Sequence, residues 1–490
     1  VCSAWTQTQR RRRGLGRATR ITDPVELSAA SASGADRELS ERQLPAAQAG
    51  EFAGEQVVES RWIPASHCLK SWGLTVPKGL VSIVALAAAV AIAVFAAVAS
   101  AADRNTRVLA AAQADRTAEL ELLEQAVNID SGTGDVEGGR RVAGLLISRL
   151  KALGMTIESV PAEEAGLAEN TVATLTGHGK SRILMIGHID TVFEPGTVQR
   201  RPFRTDDKRA YGPGVSDEKG GVVEGIYALK ILHDLGFTNF GKISFLMETS
   251  EERGSPGTRA LIGRLLKDAD VELNLEPGDL PDVLTVWRKG STNFRIEVKG
   301  RAAHAGVAPQ DGRNAALELI HQLSGLEVFP KSGDGLTANL TVMQAGTRAN
   351  IIPEDAWALV NVRVRDKADF ARVEQVLRRN AETTQIPDTK VTISGGEGFP
   401  PLPNNPATDK LAVRAQRIYA GLGRSLTAGG NGGASESALA NDAGVAALDG
   451  LGPVGGGFHS DKEFLELDTV TPRLYLLAML LMDLSSSPPQ

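Results

Sequence analysis

Cysteine is almost missing from this sequence: of 490 residues only Cys2 and Cys68 are cysteine. Everything beyond Cys68 therefore lacks a disulfide framework and any thiolate metal site. A metal there would have to be held by His, Asp and Glu, a donor set that suits zinc and harder divalent cations. Aromatic residues make up 4% of the chain, too few for broad stacking surfaces. The net charge of −6 on so long a chain argues against nucleic-acid binding as its main task. One apolar run, Leu80 to Val98, is long enough to span a bilayer.

That run is preceded by Lys78 and followed by Ala99-Ser100-Ala101, an A-x-A cleavage pattern. Residues 76–101 read as a secretory signal peptide cut before Ala102, with an uncleaved anchor as the competing reading. Either way the remainder lies outside the cytoplasm, and cleavage leaves no stable membrane span. Residues 1–75 start without Met, carry Arg10-Arg11-Arg12-Arg13 and show no sustained apolar periodicity. They read as a disordered basic tail or as non-native upstream translation, with Val76 as the true start in the second case.

From Ala102 the pattern becomes globular, and 490 residues allow two or three domains. Helices are expected over 105–128 and 137–153, from apolar positions such as Leu120, Leu123, Val142, Leu146 and Leu150. Short apolar strands at 171–176, 182–187, 242–247 and 271–275 then alternate with helices at 220–235 and 257–267. Such alternation predicts an α/β sheet with helices on both faces. The rhythm breaks at 283–400. There Phe294, Ile296 and Val298 alternate with polar residues, and the order becomes β-α-β-β-α-β, that of a ferredoxin-like α+β unit. The expected organisation is a catalytic α/β domain in two parts, 102–286 and 401–490, interrupted by an inserted domain at 287–400. Glycine-rich loops are expected at 429–433 and 455–457, and a closing helix at 470–484.

Five segments of the α/β part place acids or imidazoles beside turns: His188-Ile189-Asp190, Asp217 within Gly212-Pro213-Gly214 to Gly221, Glu251-Glu252, Asn274-Leu275-Glu276, and His459-Ser460-Asp461. Most follow predicted strands, and the crevice beyond the carboxyl ends of strands is where sites assemble in open α/β sheets. His188 can bind a cation while Asp190 orients its ring. Several carboxylates and two histidines suit a pair of cations, with a carboxylate as the shared bridge. Of the adjacent Glu251 and Glu252, one can serve as base and one as ligand. Taken singly, each acid is more simply a solvated loop residue; the constellation carries the argument.

Together these motifs resemble the zinc-dependent exopeptidases that include glutamate carboxypeptidase, aminoacylase and succinyl-diaminopimelate desuccinylase. The likeness covers roughly residues 110–486 and is strongest to bacterial glutamate carboxypeptidase. It implies a zinc-exopeptidase-like fold holding two zinc ions per subunit. His188 and Glu276 would serve one zinc, Glu252 and His459 the other, and Asp217 would bridge them. Glu251 would be the general base and Asp190 the orienter of His188. In the inserted domain, His304 in Ala303-His304-Ala305-Gly306 resembles a histidine that polarises the scissile carbonyl, usually in the partner subunit's site. Asn350 and Arg363 resemble contacts to a substrate carboxylate, for which a guanidinium fork is suited. The insert would be a lid that also makes a homodimer.

Two stretches depart from that pattern: Gly395-Gly396-Glu397-Gly398 where the relatives have basic residues, and Gly432-Gly433-Ala434-Ser435-Glu436 where they have Gly-Gly-Thr-Asp. Both fall where a substrate side chain would be read. The expected function is therefore an exported di-zinc carboxypeptidase acting on a small peptide or N-acyl amino acid. An N-acyl amino-acid hydrolase and an inactive metal-bound peptide-binding protein are the alternatives.

Overall fold

The structure, a computed structural model, describes residues 104–395 and 398–488. The segments 1–75 and 76–101 and the cleavage position lie outside the described residues. No helix among the described residues is long and apolar enough to cross a membrane.

The core is a six-stranded mixed sheet. In spatial order its strands are Thr156–Val160, Asn170–Thr176, Lys242–Glu248, Arg182–His188, Val271–Asn274 and Ala446–Leu448. The first two pair antiparallel, and the last four run parallel. Alternation explains why the sheet is covered on both faces. Ile183 and Met185 join one core cluster, Leu184 and Ile186 the other. The helices Thr106–Val127, Lys219–Asp234 and Val470–Ser486 pack together on the first face, and Arg259–Leu266 covers the second. Such two-sided burial is why these strands read as continuous apolar runs.

A second, four-stranded antiparallel sheet is built from 290–395. Its spatial order is Thr337–Ala345, Asp355–Val364, Gly290–Lys299, Lys390–Gly395, with the helices Ala315–Ser324 and Ala368–Ala381 against it. Phe294, Ile296, Val298, Val360 and Val362 form its own core. Thr337–Ala345 is an edge strand, and Leu340, Val342 and Met343 on it are 42–46% exposed.

The glycine-rich stretches 429–433 and 455–457 are loops only in part: 429–431 and 455–456 belong to strands, and 432–433 and 457 do not. Thr427–Asn431 is a strand parallel to Val283–Arg288, and Gly452–Gly456 is a strand between Phe464–Glu466 and Pro277–Gly278. Glycine is used there for close approach. A Cβ at Gly452 would lie 2.5 Å from the Leu275 carbonyl oxygen, and one at Gly221 would lie 1.9 Å from it. Two elements are thereby pressed against the backbone beside Glu276.

Candidate active site

Three adjacent parallel strands deliver the first side chains. Arg182–His188 is the middle one and ends on His188. Its neighbour Lys242–Glu248 runs on into Glu251 and Glu252. Val271–Asn274, on the other side, is followed by Glu276. Asp217 stands in the turn that opens the helix Lys219–Asp234. His459 comes from the loop after Gly452–Gly456, whose pairing with Pro277–Gly278 carries it back beside Glu276. His459 has φ 59, a left-handed conformation uncommon outside glycine and suggestive of a functional position.

Asp217 sits between the two histidines. Its Oδ1 is 3.1 Å from His188 Nε2, and its Oδ2 is 3.2 Å from His459 Nε2. Glu276 lies 3.8 Å from His188 Nε2, and Glu252 lies 3.1 Å from His459 Nε2. The side chains form two donor groups, His188–Asp217–Glu276 and Asp217–Glu252–His459, in each of which one atom per residue lies within 4.8 Å of the others. Glu251 reaches to 3.9 Å of His188 Nε2.

Asp190 does two jobs at once. Its carbonyl oxygen, 3.0 Å from His188 Nδ1, fixes the ring. Its carboxylate accepts hydrogen bonds from the Glu251 and Glu252 backbone N–H groups at 3.2 and 3.4 Å and from the Thr133 hydroxyl at 2.6 Å. The expected carboxylate–imidazole contact is longer, at 3.5 Å.

The electrostatics fit a cation pair. Burial holds the Glu251 carboxyl well above the ordinary range, opposed by His188 and reinforced by Glu436 and Glu276. Burial likewise lifts Glu276 to about 8, although Arg288 pulls it down. The hydrogen bonds to Asp217 and Glu252 lift His459 to about 10. Crowded, desolvated acids repel one another, and a divalent cation would relieve that repulsion. The donors are nitrogen and oxygen only, in two groups of three, a set that zinc accepts.

The acids open onto a cleft of about 610 Å³ that is also lined by Asn293, Asn361 and Arg363 of the second sheet. Arg363 donates to Asn361 Oδ1 at 3.0 Å and to the Gly432 carbonyl at 3.3 Å. His304 and Asn350 are not part of this lining. Both are exposed, His304 in the short strand Ala303–His304 and Asn350 just before its partner Ile351–Ile352. His304 Nδ1 accepts from the Gly306 and Val307 N–H groups, both at 3.1 Å, which leaves Nε2 as the donor of the neutral ring.

The sequence profile of peptidase family M20/M25/M40 matches residues 184–483, which span all the acids and imidazoles just described. The chain belongs to this family. It is 33% identical over 405 residues to carboxypeptidase G2 of Pseudomonas sp. (strain RS-16), covering 82% of this chain and 98% of that one. It is 28% identical over 334 residues to succinyl-diaminopimelate desuccinylase of Gluconacetobacter diazotrophicus, covering 64% and 84%. Among solved structures, the di-peptidase Dug1p of Saccharomyces cerevisiae shares the fold, with a TM-score of 0.66 at 15% identity over 78% of this chain and 99% of that one. As an M20 metallopeptidase the chain is a metal-dependent hydrolase, and among the described residues the two donor groups are candidate metal sites.

Several residues that matter to this M20 site were not expected. Arg288 is buried, forks onto Asp449 with two 2.6 Å bonds and reaches Glu276 at 3.3 Å. Glu436 does not line the cleft where a substrate side chain would be read. It is buried behind it, accepting from Asn274 Nδ2 at 2.8 Å. Glu463 holds the turn that carries Asp217. Its carboxylate accepts from the backbone N–H groups of Gly214, Ser216 and Asp217 at 3.0, 3.0 and 3.1 Å. Its position four residues after His459 was the only available signal, and it ties the His459 loop to the Asp217 turn.

Removing that carboxylate orphans three N–H groups and frees the turn. We predict that Glu463→Ala lowers metal affinity by about 10–100-fold, the usual effect of losing a group that orients a ligand. Glu463→Gln, which keeps one acceptor oxygen, should lose less. Competitive chelator titration measures both; unchanged affinity in Glu463→Ala would show that the turn holds itself.

Proposed function

We propose that this M20 hydrolase is an exported, di-zinc carboxypeptidase that cleaves an amide bond next to a free carboxylate. The observation that carries the reading is Asp217, with one oxygen toward each histidine. His188, Asp217 and Glu276 would hold one zinc, and Asp217, Glu252 and His459 the second. Bound there, the ions supply Lewis acidity and an acidified water.

The chain's own groups do the rest. Glu251 lines the cleft 3.9 Å from His188 Nε2, and its raised affinity for a proton suits a base that takes one from water. As the C–N bond breaks, it passes that proton to the leaving amine. Arg363, from the second sheet, offers its guanidinium to the substrate's free carboxylate, with Asn361 fixing it through Nε. A grip on the carboxylate sets the amide over the acids, and such positioning lowers the barrier by removing the entropy of encounter.

The region 287–400 is, in this reading, a ferredoxin-like lid inserted between catalytic parts 102–286 and 401–490, and it pairs with a second copy. The apolar, unpaired edge of Thr337–Ala345 supports that pairing. His304 and Asn350 would then reach the partner's cleft, the histidine through Nε2–H toward the developing oxyanion. Export rests on the Leu80–Val98 run and Ala99-Ser100-Ala101. The alternative is an N-acyl amino-acid hydrolase with the same machinery, favoured by the likeness to the desuccinylase.

Glu251→Gln should keep metal and fold but lose turnover by ~10²–10⁴, the usual worth of a general base. Mixing these chains with His304→Ala chains should restore activity, because one site of each heterodimer keeps both residues. Near-wild-type turnover in Glu251→Gln rejects the base, and heterodimers without activity reject the shared site. For export, the mass of the chain recovered from its native host should place the N-terminus at Ala102. A mature chain that keeps Leu80–Val98 rules out cleavage.

A further inference from the structure

Asp190 offers its carboxylate to more neighbours than it can serve equally. Oδ1 takes the Glu251 N–H at 3.2 Å and stands 3.5 Å from His188 Nδ1. Oδ2 takes the Glu252 N–H at 3.4 Å and the Thr133 hydroxyl at 2.6 Å. The two amide bonds are long, whereas the hydroxyl bond has the length of a strong, charge-assisted O–H···O⁻ bond. Asp190 is 3% exposed, so solvent has little access to replace a lost donor.

Thr133 is fixed where it stands by the residues on either side of Asp190. Its N–H donates to the Thr191 carbonyl at 3.0 Å, and the Thr191 N–H donates to the Ser131 carbonyl at 3.1 Å. The Ser131 hydroxyl donates to the Ile189 carbonyl at 2.8 Å. Between them Gly132 passes so close that a Cβ there would lie 2.1 Å from the Phe193 carbonyl oxygen. The segment 131–133 is thus zipped onto 189–193, and it carries the hydroxyl to one place beside Asp190.

An aspartate carboxylate turns softly about its last torsion. Without the hydroxyl, the strongest donor left nearby is the ring N–H at His188 Nδ1, which bonds the Asp190 carbonyl at 3.0 Å. A carboxylate turned onto that ring leaves the Glu251 and Glu252 N–H groups, and these belong to the single turn Glu251–Arg253 that sets both side chains. The same movement makes His188 a better metal ligand, because a carboxylate partner raises the basicity of a ligating imidazole. Positioning of the two glutamates and ligation by His188 therefore change in opposite directions.

We infer that Thr133 is a positioning residue of this site: its hydroxyl holds the Asp190 carboxylate on the backbone of Glu251 and Glu252 and out of a direct bond to the His188 ring. The inference rests on the reading of Glu251 as base and Glu252 as ligand, and it adds the group that keeps both in place.

The test compares Thr133→Val, which keeps the shape and loses the hydroxyl, with Thr133→Ser, which keeps the hydroxyl, in the full chain. At saturating zinc, Thr133→Val should lower kcat by about 10–100-fold, the usual effect of losing an outer partner of a metal site. Thr133→Ser should restore most of that turnover. In competitive chelator titration of Thr133→Val the two ions should part. The ion also lost in His459→Ala should bind more weakly, and the other should bind as in the wild type or more tightly. The ring reports the carboxylate directly: in zinc-loaded protein with isotope-labelled histidine, the His188 Nδ1–H proton, identified by its absence in His188→Gln, should move downfield in Thr133→Val and stay in place in Thr133→Ser. Wild-type turnover in Thr133→Val, equal losses in the two variants, or equal weakening of both ions overturns the inference. An unmoved ring proton overturns it too, even where no substrate has been found. If Glu251→Gln keeps its turnover while the ring proton moves in Thr133→Val, the base reading fails and the hold of Thr133 on Asp190 stands.

Discussion

Everything in this site depends on where the Asp217 carboxylate is held. Its two oxygens face histidines from opposite halves of the sequence, and neither donor group is complete without it. The turn that carries it is fixed from both sides. Glu463 takes three of its backbone N–H groups. Lys219, two residues on, is buried and donates to the carbonyls of Ala126 and Ile129, where the first long helix ends. A cation among the free carbonyls of a helix end is well placed, although burial pushes Lys219 down to about 8. Helix, turn and His459 loop are therefore one construction around one carboxylate.

That construction concentrates acids in a poorly hydrated place. Besides the donors, Glu218, Glu248, Glu272 and Glu436 are buried beneath the site. Burial is the main cause that raises Glu218, Glu248 and Glu272, each pushed up further by acidic neighbours. Such a cluster works against the fold unless its charge is compensated. Arg288 supplies one compensation, between Asp449 and Glu276. The pair of cations proposed between the histidines supplies the other, which links metal binding to the stability of the site.

How much of this the sequence revealed follows from which residues sit at element ends. His188, Glu251, Glu252 and Glu276 directly follow apolar strands, so their convergence could be read from the strand pattern. The second sheet was equally legible, because Phe294, Ile296 and Val298 alternate over a half-buried face. What stayed hidden depends on tertiary contact. Arg288 and Glu463 matter through partners 161 and 246–249 residues away, and no local pattern marks such pairs. The stretches 429–433 and 455–457 read as loops because glycine signals turns when considered locally, yet they run out of the strands Thr427–Asn431 and Gly452–Gly456. Here glycine serves close packing, as at Gly452 against Leu275. Glu436 looked like a variant of a substrate loop, yet it faces inward, toward Asn274.

The central claim is that two cations share Asp217, and metal stoichiometry tests it most directly. Zinc-replete protein, freed of loose metal, is assayed for bound zinc by elemental analysis alongside His459→Ala and Asp217→Ala. The account predicts about two ions per chain in the wild type, close to one in His459→Ala, and weakened binding of both in Asp217→Ala, since the bridge serves each donor group. A fully active wild type holding a single ion, or an Asp217→Ala protein that keeps both, would contradict it.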